Sequence, residues 1–189
     1  DGVERLKDVE ALTLSGMAGK ISFYLSLEKR ISLIETNKND IKRITNELRK
    51  AVTPSIKKNR LFIQKHCSKI LMFSGGFKEI IIPIVSEYGI NEDQIFANEF
   101  IYDLDGNVIG IDKNNNMSKK SGKILMIKSL NLSGNIDVIG DGFTDYEIKK
   151  SGLATNFYAF IENINRDEIS QLSDKVLNSF DDYIEIVND

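Results

Sequence analysis

Three places in the 189-residue chain combine residue types and spacing that could act on an anion. The first is Phe73-Ser74-Gly75-Gly76-Phe77, which ends the apolar run Lys69-Ile70-Leu71-Met72-Phe73. A hydroxyl followed by two glycines lets the backbone approach a ligand closely, and a helix opening just after it presents free N–H groups to negative charge. The bland alternative is a plain strand-to-helix turn. The second is Gly140-Asp141-Gly142-Phe143-Thr144-Asp145, after the buried-type run Ile136-Asp137-Val138-Ile139. A carboxylate at a strand end between glycines suits a hard cation such as Mg²⁺, which takes a few carboxylates and keeps waters. Asp145 follows one helical turn later and can face the same spot; otherwise, with Thr144, it merely caps a helix. The third is Lys123, opening a helix after Ser121-Gly122, where it could neutralise charge on a transferring phosphoryl group. Lys119 and Lys120 stand close by, and most lysines are solvated. Met126, Ile127 and Leu130 follow Lys123 at helical spacing, and beyond that helix phase nothing local separates it from Lys119.

The elements that must position these residues can be read from periodicity. Val9, Leu12 and Leu14 precede a break at Gly16 to Lys20, after which Phe23, Leu27, Ile31 and Ile34 recur at helical spacing, as do Ile41, Ile44 and Leu48. Residues 1–52 therefore read as a small helical cap without strands. Thr53-Pro54 opens a basic amphipathic helix through Lys65. After Ser-Gly-Gly a helix is expected from Phe77 to Tyr88, then a hairpin from Phe96 to Ile111 turning at Asp105-Gly106. Asn156 to Ile161 is a further strand, and Val176 to the end a closing helix. Strands separated by helices imply an α/β core over residues 53–189, a parallel sheet covered on both faces, with ligands bound beyond the carboxyl ends of the strands. Ser74 and Asp141 fall at two such ends.

Composition narrows the class. The 41% hydrophobic and 28% charged fractions are those of an ordinary globular protein. A net charge of -3 and a pI near 5.4 argue against a nucleic-acid partner. The lone Cys67 cannot form an internal disulfide, which fits a reducing cytoplasm. Apolar runs are too short to span a bilayer, and Asp1-Gly2-Val3-Glu4 is no signal peptide, so no membrane partner is expected. His66, the sole histidine, sits between Lys65 and Cys67 at a helix end and reads as solvated or capping. Cys67 precedes a buried strand and reads as packed. Gly19-Lys20 lacks the glycine-rich lead of a P-loop, and Asp181, Asp182 and Glu185 form a solvated helix face.

In order and spacing, Ser-Gly-Gly, the helix-opening Lys123 and Gly-Asp-Gly-x-x-Asp resemble motifs two, three and four of the haloacid dehalogenase superfamily. Phe73–Phe77, Ala97-Asn98 and Gly140–Asp145 are similar to its phosphoserine phosphatase family, and the likeness runs over essentially the whole chain. Gly16-Met17-x-Gly19-Lys20-x-x-Phe23, then Ser26-Leu27-x-x-Arg30, resemble that family's substrate-specificity segment. The resemblance implies a Rossmann-like core, a parallel sheet with helices on both faces plus a hairpin, under a small helical cap. It implies that Ser74 and the Gly75 amide hold the phosphoryl oxygens, Lys123 stabilises the transferring phosphate, Asp141 ligates Mg²⁺ and Asp145 supports it from behind. Thr144 stands where the family usually has asparagine and can still donate a hydrogen bond. Arg30 would grip the substrate carboxylate in two places, with Met17 and Phe23 closing over it.

The activity so implied is Mg²⁺-dependent hydrolysis of O-phospho-L-serine to serine and phosphate through an aspartyl-phosphate. The superfamily's first motif, Asp-x-Asp-x-[Thr/Val], is not among these 189 residues. Asp103-x-Asp105 is a superficial match, but Gly106-Asn107 follow and it reads as a hairpin turn. It is also a poor calcium loop, since its glycine comes too early and no glutamate closes it. In the family the missing strand lies mid-sheet between those ending at Ser74 and Asp141, and its loss would leave backbone groups unpaired. The chain is therefore expected to be an incomplete copy of a longer protein, inactive as it stands. The alternatives are a phosphatase for another small phosphomonoester and a non-catalytic phosphate-binding remnant. Oligomeric state stays open.

Overall fold

The computed structural model describes the backbone of residues 2–17 and 20–188 and the side chains of residues 4–15 and 20–188. The chain opens with three helices, α1 (Gly2–Met17), α2 (Phe23–Ser32) and α3 (Lys38–Lys50). The Leu25 N–H donates to Ser22 Oγ at 3.1 Å, which starts α2 after the break. Ser26 and Leu27 are its buried face, and the Ser26 hydroxyl donates to the Leu12 carbonyl at 2.8 Å, tying α2 to α1. On α3, Ile41 and Thr45 turn inward; Ile44 and Leu48, expected on the apolar stripe, stay exposed.

The expected single helix through Lys65 is divided into α4 (Pro54–Lys58) and α5 (Arg60–His66). The division falls at Asn59, whose side-chain amide donates to the Ser55 carbonyl and to Asp181 Oδ1 at 2.9 and 2.8 Å, competing with the helical ladder. Thr53 makes no cap; its hydroxyl instead accepts from Asn163 Nδ2, and the Ser55 N–H at the start of α4 donates to Glu162.

The rest alternates strands and helices: β1 (Met72–Phe77), α6 (Lys78–Val85), β2 (Ile95–Asn98), β3 (Phe100–Tyr102), β4 (Val108–Ile111), α7 (Gly122–Leu130), β5 (Asp137–Gly140), α8 (Phe143–Lys150), β6 (Asn156–Phe160), α9 (Asp167–Leu172), β7 (Lys175–Leu177) and α10 (Phe180–Asn188). β1 pairs with β2 in parallel, β3 with β4 antiparallel, and β5-β6-β7 form a parallel sheet in that order. Three expectations need correction. Ser74-Gly75-Gly76 lies inside β1 and not after it. Residues 96–98 leave the hairpin for a parallel strand, because Ile95, Ala97 and Asn98 are all buried and show no two-residue alternation. The closing segment is a strand and then a helix: β7 is only three residues long, too short to show a period.

Contacts divide the chain into two compact units, residues 1–50 with 69–122, and residues 51–68 with 123–189. In the second, Phe157, Ala159 and Ile169 are buried together, with Val138, Tyr146, Ile161 and Val176 packed on them. This core lies under β5 and β6 and fixes the strand that ends at Gly140.

Candidate active site

In the second unit the chemistry gathers where β5 meets α8. Gly142 is the N-cap of α8, and Asp145 is its third residue. The Gly142 N–H donates to Asp145 Oδ2 at 3.2 Å, so Asp145 fulfils the capping reading. It does more: its other oxygen accepts from Lys123 Nζ at 2.5 Å, and the two side chains are only 17% and 13% exposed. Lys119, the neighbouring alternative, is exposed and bonds to Asn116. The Asp145 carboxylate lies directly over Gly140, where an added Cβ would come within 2.2 Å of Asp145 Cγ. The first glycine of Gly-Asp-Gly is therefore a steric necessity of the Lys123–Asp145 pair.

Asp141, between the glycines, has its side chain half exposed. Its carboxylate is met by Arg166, which also donates to the Asp141 backbone carbonyl at 2.8 Å. Arg166, the residue that opens α9, was invisible in the sequence: a lone arginine after a polar loop carries no motif. Thr144 is exposed in the first turn of α8. Among the described residues no three His, Cys, Asp or Glu side chains cluster closely enough to cage a metal. What Asp141 offers is one hard carboxylate oxygen, the kind of donor Mg²⁺ combines with waters and substrate phosphate.

In the first unit the Ser-Gly-Gly segment is a bulge. Phe73 pairs with Phe96 and Phe77 with Asn98, so four residue steps on β1 face two on β2 and the residues between leave the ladder. The Gly76 N–H turns back to Ser74 Oγ at 3.0 Å, and Gly75 is exposed. Stacked Phe73–Phe96 and Phe77–Phe100 rings brace the bulge at either end. Phe23, at the start of α2, lies over it: a Cβ on Gly75 would stand 3.5 Å from Phe23 Cζ. Arg30 lies two turns further along α2 on the same side. It is half-buried, and burial lowers its pKa from the ordinary arginine value. Among the described residues its guanidinium meets only the Ser26 carbonyl at 3.3 Å and Thr13 Oγ1 at 3.4 Å, and no carboxylate pairs with it. Met17 closes α1, and its side chain lies outside the described residues.

Asp103-x-Asp105 is a turn. Asp103 Oδ1 accepts the N–H groups of Asp105 and Asn107, its other oxygen accepts from the Asn107 side chain, and Gly106 takes a φ of 84°. The Asn107 side-chain bond, first among these contacts, holds the Asp103 carboxyl below its ordinary pKa.

No family model matches the chain. It is 33% identical to a phosphoserine phosphatase of Methanocaldococcus jannaschii over 171 residues, 84% of this chain and 74% of that protein. It is 27% identical to the chloroplastic phosphoserine phosphatase of Arabidopsis thaliana, of whose length it spans 61%. A solved phosphoserine phosphohydrolase-like protein from Francisella tularensis superposes with a TM-score of 0.78 at 32% identity, covering 97% of this chain and 86% of that one. The parallel α/β architecture, with Ser-Gly-Gly in one strand and a buried Lys–Asp pair behind Gly-Asp-Gly, is of the haloacid dehalogenase type. Within that class, the chain belongs to the phosphoserine phosphatase family.

Proposed function

We propose that these residues serve the Mg²⁺-dependent hydrolysis of O-phospho-L-serine through an aspartyl-phosphate intermediate, in a cytoplasmic setting. The observation that carries the substrate is Arg30: a half-buried guanidinium without a carboxylate partner among the described residues, on the helix whose Phe23 covers the Ser-Gly-Gly bulge. Desolvating an unpaired cation is costly, and a small ligand carrying its own carboxylate would offset that cost. At the other end of such a ligand, Ser74 and the Gly75 amide donate to phosphoryl oxygens. In the second unit Lys123, held by Asp145, is the fixed cation suited to stabilising a transferring phosphoryl group. Asp141 is the carboxylate suited to Mg²⁺, which when bound would neutralise charge on the phosphate. Thr144 adds a hydroxyl at the mouth of α8. Among the described residues no helix is long and apolar enough to cross a membrane.

The attacking group is not among these features. An aspartate oxygen would bond to phosphorus as the serine oxygen leaves with a proton from a second carboxyl, and water would then release phosphate. Asp103 is spoken for by its turn. Residues 1–189 alone should therefore release no phosphate from phosphoserine in Mg²⁺, like an Asp141→Ala control; release above that control overturns this reading. With an Asp-x-Asp-x-Thr strand supplied, Arg30→Ala should raise KM for phosphoserine at least about tenfold more than for a neutral aryl phosphate. An equal effect on both would favour another small phosphomonoester.

A further inference from the structure

The bulge in β1 depends on a residue with no assigned part. Asn98, at the end of β2, is wholly buried, and its Nδ2 donates to the Gly75 carbonyl at 2.9 Å. Because that contact is to a carbonyl, the amide is fixed with nitrogen toward Gly75, which leaves Oδ1 buried without a hydrogen-bond partner among the described residues. Such an oxygen is costly, and a leucine of similar size would avoid the cost. The position nevertheless keeps a polar group aimed at the peptide that follows Gly75.

The consequence reaches Ser74. With the Gly75 carbonyl pinned inward, the N–H of the same peptide, on Gly76, faces the other way and donates to Ser74 Oγ. A serine oxygen that accepts from an N–H has its own proton left to give, and the accepted bond polarises that O–H toward a further acceptor. Asn98 thus sets the peptide plane, the peptide N–H holds the Ser74 oxygen, and the hydroxyl keeps its own proton to donate beside the exposed Gly75.

We propose that Asn98 is the positioning residue of the phosphate cradle, fixing the Gly75–Gly76 peptide so that Ser74 donates to a phosphoryl oxygen. This rests on the phosphatase reading above. The test titrates inorganic phosphate into the full ¹⁵N-labelled chain at constant Mg²⁺, following the Gly75 and Gly76 amides. Asn98→Leu should weaken phosphate binding about tenfold or more. Thr45→Val, which removes a different buried hydroxyl bond in the same unit, should leave it unchanged. Equal affinity in wild type and Asn98→Leu, or equal weakening by Thr45→Val, overturns the proposal alone. Absence of phosphate binding by the wild type overturns the phosphatase reading with it. Should Asn98→Leu fail to fold, the unaltered chain decides: the Asn98 side-chain amide protons should shift together with Gly75 on phosphate addition, and their indifference to phosphate contradicts the assignment.

Discussion

Gly140→Ala is the sharpest perturbation available. The new methyl carbon would stand 2.2 Å from Asp145 Cγ, 2.4 Å from Oδ2 and 2.6 Å from Cβ, distances no packed atoms tolerate. Asp145 cannot yield freely, since one oxygen holds Lys123 and the other the Gly142 N–H. Breaking a buried pair by displacing one partner costs about 3–5 kcal/mol, and the residual exposure of these side chains argues for the low end. Losing the cap adds about 1 kcal/mol, while alanine recovers about 0.4–1 kcal/mol by stiffening the unfolded chain. The net expectation is a loss of about 3 kcal/mol, or about 9 °C in melting temperature for a chain of this size. Urea and thermal unfolding of the single variant measure it. In a Lys123→Met background, where the pair is already gone, the lost cap and the stiffer unfolded chain nearly cancel, and the same substitution should cost less than about 1 kcal/mol. A Gly140→Ala protein within about 0.5 kcal/mol of wild type, or one whose penalty survives intact in the Lys123→Met background, refutes the reasoning.

Further expectations concern both units. Gly122→Ala should cost about 2–3 kcal/mol in urea unfolding, because its Cβ would stand 2.5 Å from the Asn116 carbonyl oxygen and 2.9 Å from Met117 Cα, backbone atoms with little room to give. Asp145→Ala should destabilise more than Lys123→Ala, by about 1 kcal/mol in the same assay, because Asp145 also caps α8. Glu79 accepts the Phe100 N–H with one oxygen and buries the other without a partner among the described residues, and desolvation raises its carboxyl pKa above the ordinary glutamate value. The folded state then holds the Glu79 proton more tightly than the unfolded state. That contribution to stability is present below the ordinary glutamate range and is lost as pH rises through the folded value. Unfolding midpoints measured from about pH 4 upward should show this fall in wild type and not in Glu79→Gln.

The legible parts of the molecule are those whose signal is local. An apolar run closing on glycines marked β5 and the Asp141 turn, and helix phase separated Lys123 from Lys119, which the structure leaves exposed. The part of Asp145 was half legible: the spacing after Gly142 shows the cap, while the second oxygen's bond to Lys123, 22 residues earlier, has no local signature. What escaped was long-range or lacked a period. Glu162 receives the N–H of Ser55 from 107 residues away, Arg166 reaches back to Asp141, and no local pattern announces either. β2 escaped because a strand buried on both faces does not alternate, and the bulge escaped because Ser-Gly-Gly reads equally well as a turn. The steric reason for Gly140 belongs to three dimensions alone.

The central claim, that the chain carries the phosphate clamp and carboxylate anchor for phosphoserine, is tested most directly by calorimetric titration of O-phospho-L-serine into residues 1–189 with Mg²⁺ present. Saturable binding is predicted, weakened by Arg30→Ala at least about tenfold while the affinity for inorganic phosphate is unchanged. Binding of phosphoserine that is indifferent to Arg30→Ala, or no binding at all, would contradict it.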